Sequence, residues 1–85
     1  MSEPGPIVDA RTGQSLVGAG GRRIGRVEGV FADYLLVRTG GLLPVDLYVP
    51  RREVEAGSGE VLRVALTKAA AYDAWHRPLK LAPHA

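Results

Sequence analysis

The stretch Gly20-Gly21-Arg22-Arg23-Ile24-Gly25-Arg26-Val27-Glu28-Gly29-Val30-Phe31-Ala32-Asp33 decides the fold. Its apolar residues Ile24, Val27 and Val30 stand three apart, a spacing that plain strand alternation does not give. A helix would accept the spacing, but Gly25 and Gly29 would cost it about 2 kcal/mol. A long strand that bulges or coils accommodates both features, because interior glycines mark bends and close backbone approaches. The run from Arg23 to Phe31 is therefore expected as one coiled strand serving both sides of a small barrel.

Working outward, Ser15-Leu16-Val17 reads as the preceding strand, and Gly18-Ala19-Gly20-Gly21 supplies the positive φ of a tight hairpin. Downstream, Asp33 turns the chain into a third strand, Tyr34 to Arg38, and Gly40-Gly41 makes the next turn. A fourth strand is centred on Leu47-Tyr48-Val49 and ends at Pro50, which cannot donate to a ladder. Arg51 to Ala56 reads as a connector with one short helical turn. After the Gly57-Ser58-Gly59 turn, Glu60 to Leu66 forms the last strand, with Leu62, Val64 and Leu66 on one face. Thr67 is a helix N-cap, and Lys68 to Arg77 has the strongest helix propensity in the chain, stopped by Pro78. Ala71 and Trp75, four apart, face the barrel together. The expected fold is mostly β: a small, strongly bent antiparallel β-barrel with one C-terminal α-helix. Residues 1–14 are expected as a flexible lead-in, 15–81 as the domain and 82–85 as a tail.

The chain has 85 residues, 46% of them apolar, and no cysteine. That is one domain, whose core must come from Val, Leu, Ile and a few aromatics, without disulfide or thiolate metal site. The missing cysteine fits a cytoplasmic location. Met1 to Pro6 has no basic start followed by an apolar run, so no signal peptide is expected there, and the apolar runs fall far short of the roughly 18 residues a membrane helix needs. Net charge is +2. The arginine excess over lysine suits carboxylate and phosphate contacts, and equally follows from genome codon bias.

The run Gly20 to Asp33, followed by Tyr48-Val49-Pro50 and the Val54-to-Leu66 stretch, resembles the PRC-barrel domain family in stand-alone form. The resemblance covers roughly residues 15 to 66. It implies a small bent β-barrel that binds protein, with no common catalytic residues to carry over. Relatives include the cytoplasmic part of the photosynthetic reaction-centre H subunit and the C-terminal domain of the ribosome maturation factor. The sequence shows neither the transmembrane helix of the first nor the N-terminal domain of the second, so neither specific task is expected.

Chemistry-bearing motifs are absent from the sequence. Arg23 stands where Gly18-x-Gly20 would need a third glycine for a dinucleotide fingerprint, and no Gly-Lys-Ser/Thr follows. His76, near a helix end, and His84, in the tail, are too few for a metal site; His76 suits the helix C-terminus instead. Ser2, Ser15 and Ser58 lie outside any nucleophile-elbow setting, and Glu53 and Glu55 read as solvated charges. No catalytic, cofactor or metal-binding residue is assigned.

Two surfaces are candidates for partners. Leu42-Leu43-Pro44-Val45 is apolar where a loop is normally polar, and an extended segment cannot turn every side chain inward. Leu42, Leu43 and Val45, with Trp75, are expected either to meet a protein partner, a second copy first, or to cap the barrel mouth. Arg22, Arg23, Arg26, Arg51 and Arg52 are a possible basic patch, which would favour a nucleic-acid- or ribosome-associated factor. An enzyme with an unrecognised site is the last alternative.

Overall fold

The computed structural model describes residues 9–76. Six strands precede one helix: β1 (Ser15–Val17), β2 (Arg23–Val30), β3 (Tyr34–Arg38), β4 (Asp46–Pro50), β5 (Glu55–Ala56), β6 (Val61–Arg63) and α1 (Lys68–Trp75). The three-residue spacing in β2 has a direct cause. Its ladder with β1 slips at Ile24, between the pairs Leu16–Gly25 and Val17–Arg23. Its ladder with β3 slips again at Glu28, between Val27–Val37 and Gly29–Leu36. A bulge adds one residue to the two-residue alternation. Ile24 and Val27 are therefore both in the core, with Val30 packed against it.

The sheet order is β4-β3-β2-β1-β6-β5, which curls into a half-barrel. The expected bent β fold with a single C-terminal helix is what forms, but one pairing departs from the antiparallel scheme. β1 and β6 run parallel, Ser15 opposite Val61, so the sheet is mixed. The reason is the connector. The chain leaves β4 through a 3-10 turn at Arg51–Glu53. It then forms the antiparallel β5–β6 hairpin and reaches β1 from the far side. β4 and β5 do not meet, so the barrel stays open.

The core holds Leu16, Ile24, Val27, Leu35, Val37, Leu47, Val49, Val54, Leu62, Val64, Ala71 and Trp75. Strand alternation supplies it from one sheet face, and each large side chain fully buried there contributes about 1.5–3 kcal/mol. α1 adds Ala71 and Trp75 through its inward stripe. Thr67 starts the helix by accepting the Ala70 N–H at 3.1 Å. At the other end, His76 Nδ1 lies 2.8 Å from the Tyr72 carbonyl and so donates to it. The helix ends at Trp75 rather than Arg77, which lies outside the described residues, as do Pro78 and the tail.

The residues just before β1 are bonded to β2. Gly13 N–H donates to the Val27 carbonyl and Val27 N–H to the Gln14 carbonyl. Gln14 is buried, and its Oε1 accepts the Arg11 N–H at 2.6 Å. Residues 11–14 therefore continue the β1 edge onto β2 and belong to the folded unit. Residues 1–8 lie outside the described ones.

Candidate functional site

The segment between β3 and β4 is a loop closed at its base. Thr39 N–H donates to the Val45 carbonyl, and Val45 N–H donates to Thr39 Oγ1, both at 2.9 Å. Thr39 is buried beneath this clamp. The loop it closes carries Leu42 at 96% exposure and Leu43 at 84%. Val45 is half-buried and packs on the core. Trp75 is 7% exposed and is a core residue, a correction to its place on a partner surface. It falls with Ala71 on the inward stripe of α1, where the sheet covers it. The expected surface thus reduces to two leucines on a projecting tip.

The arginines form separate groups. Arg23 and Arg26 line a cleft of about 500 Å³ with Glu28, Arg38, Gly40 and Lys68. Arg26 lies opposite Arg38 across the β2–β3 ladder. That like-charge juxtaposition is relieved by Asp46, which accepts from Arg38 Nε at 3.0 Å. The hydrogen bond and charge of Asp46 raise the Arg38 pKa above its ordinary value. Arg22 lines a different cleft, beside Tyr72 and the first turn of α1. Arg51 lies past the opposite end of β2, its Nη1 donating to the Phe31 carbonyl at 3.2 Å. Arg52 follows it, 4.0 Å from Glu53. A strand rises about 3.3 Å per residue, so the length of β2 separates Arg51 and Arg52 from Arg23, and about half that length separates them from Arg26. They do not make one patch.

Sequence reasoning missed a third surface. Leu35, Val37, Leu47 and Val49 point into the core, so the alternate residues Tyr34, Leu36, Tyr48 and Pro50 take the outer sheet face. There Phe31 stacks on Tyr34 with centroids 4.8 Å apart, and Tyr34 meets Tyr48 at 5.7 Å. Gly29 makes room for this array: a Cβ built on it would lie 2.9 Å from the Phe31 ring. The signal was present in the alternation of Tyr34 with Leu35, and of Tyr48 with its neighbours, once the inward face was assigned.

This aromatic face adjoins an edge of the sheet, because among the described residues β4 has no strand neighbour beyond β3. The Val45 carbonyl accepts from Thr39 N–H, and Arg51 N–H donates to the Asp33 carbonyl. Residues 45, 47, 49 and 51 therefore turn their backbone groups toward β3. Asp46, Tyr48 and Pro50, one step out of phase, turn theirs away from the sheet.

Among the described residues, no three His, Cys, Asp or Glu side chains converge as a metal site. No described helix is long and apolar enough to cross a membrane. His84 and Ser2 lie outside the described residues. No protein-family model, curated protein or solved structure matches the chain.

Proposed function

We propose that this chain is a non-catalytic, PRC-barrel-like module that works by binding protein, with a second copy of itself as the partner. The carrying observation is the outward phase of β4 beside the Phe31–Tyr34–Tyr48 array. Two β4 edges can meet antiparallel about Tyr48. Each Tyr48 N–H then donates to the Tyr48 carbonyl of the other copy, and each Asp46 N–H to the other copy's Pro50 carbonyl. Pro50, which has no N–H, is asked only to accept. The aromatic faces of the two sheets become continuous, and C2 pairing of this kind is the commonest form of homo-oligomer. A cytoplasmic location belongs to the same proposal, supported by the absence of cysteine.

Light scattering across a dilution series tests it with Tyr48→Pro. The Tyr48 N–H bonds nothing in β3, so proline there removes an edge donor and leaves the ladder, as edge prolines do. The expected result is a concentration-dependent dimer for the wild type and for Tyr48→Phe, and a folded monomer for Tyr48→Pro. A wild type that stays monomeric at high concentration overturns it.

One observation favours a second reading, single-stranded nucleic acid. An exposed Phe31 stacked on the half-buried Tyr34, beside Arg51 and Arg52, is the kind of platform on which bases stack. Salt-dependent retention on heparin, lost in Phe31→Ala, would support that reading over self-pairing.

A further inference from the structure

We propose that the Leu42–Leu43 loop tip and the cationic cleft beside it seat this protein on an anionic lipid surface. The loop is built to project. Its base is fixed by the paired Thr39–Val45 hydrogen bonds, and Pro44 restricts the backbone on the way back. Leu42 and Leu43 therefore stand in solvent without collapsing onto the core, at 96% and 84% exposure.

The neighbourhood decides what such a tip can meet. Gly40 and Gly41, at the root of the loop, line the same cleft as Arg23, Arg26 and Lys68. Those three cations make no ion pair with any described residue, since the ion pairs join Arg11 to Glu60, Arg38 to Asp46 and Arg52 to Glu53. Glu28 is the one acid lining the cleft, and Asp46 nearby is held by Arg38. Positive charge is in excess beside the tip.

Two leucines are too small a patch for a protein partner. A stable protein interface needs about 800 Å² per side, and the surface around this tip is charged. A bilayer has no such requirement. A projecting aliphatic tip enters the boundary between headgroups and acyl chains, while the cations flanking it meet anionic headgroups. The headgroup chemistry that fits is a phosphate or carboxylate facing arginine and lysine. This surface is separate from the β4 edge, and the inference does not depend on self-association.

Co-sedimentation with vesicles tests it. The wild type should bind mixed phosphatidylserine–phosphatidylcholine vesicles and not pure phosphatidylcholine, with binding weakened by sodium chloride. The double variant Leu42→Ser, Leu43→Ser should keep its melting temperature, both side chains being exposed, and lose binding at least about tenfold. Arg23→Glu with Arg26→Glu should lose a similar factor. Absence of binding, equal binding to pure phosphatidylcholine, or a leucine variant that binds like the wild type overturns the proposal. So does displacement by inorganic phosphate well beyond that by chloride at equal ionic strength, which would make free phosphate the ligand. A Tyr48→Pro monomer that still binds the vesicles separates this site from the dimer edge.

Discussion

Gly25 lies directly against the Arg38 carbonyl: a Cβ added to it would stand 2.5 Å from that oxygen and 2.9 Å from its carbon. Both atoms belong to the backbone of β3, so no side chain can swing aside to admit a methyl group. Closeness here is what the bulged strand achieves. The missing side chain lets the backbones of β2 and β3 approach beside the Arg26–Arg38 pair.

Gly25→Ala should therefore destabilise the fold by about 1–3 kcal/mol. Urea denaturation followed by Trp75 fluorescence measures it. A midpoint equal to that of the wild type would mean β2 and β3 can separate at no cost.

Gly29 has the same position in the pattern but a different neighbour. The first atoms a Cβ would meet belong to the Phe31 ring, which is 45% exposed and can move. Gly29→Val should cost less than Gly25→Ala, about 1 kcal/mol. Its main effect should be loss of the Phe31–Tyr34 stack, read in the near-ultraviolet circular dichroism. A Gly29 variant costing more than Gly25→Ala would reverse this assignment.

Trp75 is the third case. Its indole fills the core between α1 and the sheet, so Trp75→Ala should cost about 3–5 kcal/mol, as large core truncations do. Domains of this size have about 5–15 kcal/mol in total. The variant should melt far below the wild type even when monomeric and dilute. A stable, merely monomeric Trp75→Ala would return the residue to an interface.

What the sequence disclosed follows the range of the forces involved. β1 and β3 lie within their own alternation, and Thr67 caps its helix through a contact three residues away. Such features are local and can be read from neighbours. β5 could not be read so: Glu55–Ala56 carries no pattern and is a strand only because Arg63 and Leu62 lie opposite it. The parallel pairing of β1 with β6 likewise depends on distant partners, whereas the inward stripe of Ala71 and Trp75 was legible from their spacing of four. The candidate surfaces divide in the same way. The apolar loop after a glycine turn marked Leu42 and Leu43, but left open whether they project or cap the barrel mouth, which their exposure decides. The Phe31–Tyr34–Tyr48 array needs three elements in register, and the scattering of the arginines needs the path of β2.

The parallel pairing of Ser15 with Val61 also sets a timetable for the nascent chain. β2, β3 and β4 can join their sequence neighbours as soon as each hairpin is complete. β1 gains one flank early, but its other flank has no mate until β6, the last strand described, emerges. Until then that flank presents unpaired backbone groups, the condition under which strands recruit the wrong partner. Contacts of such long sequence separation close slowly. Synthesis halted before Val61 should therefore leave an adhesive intermediate, even though most of the sheet is already present.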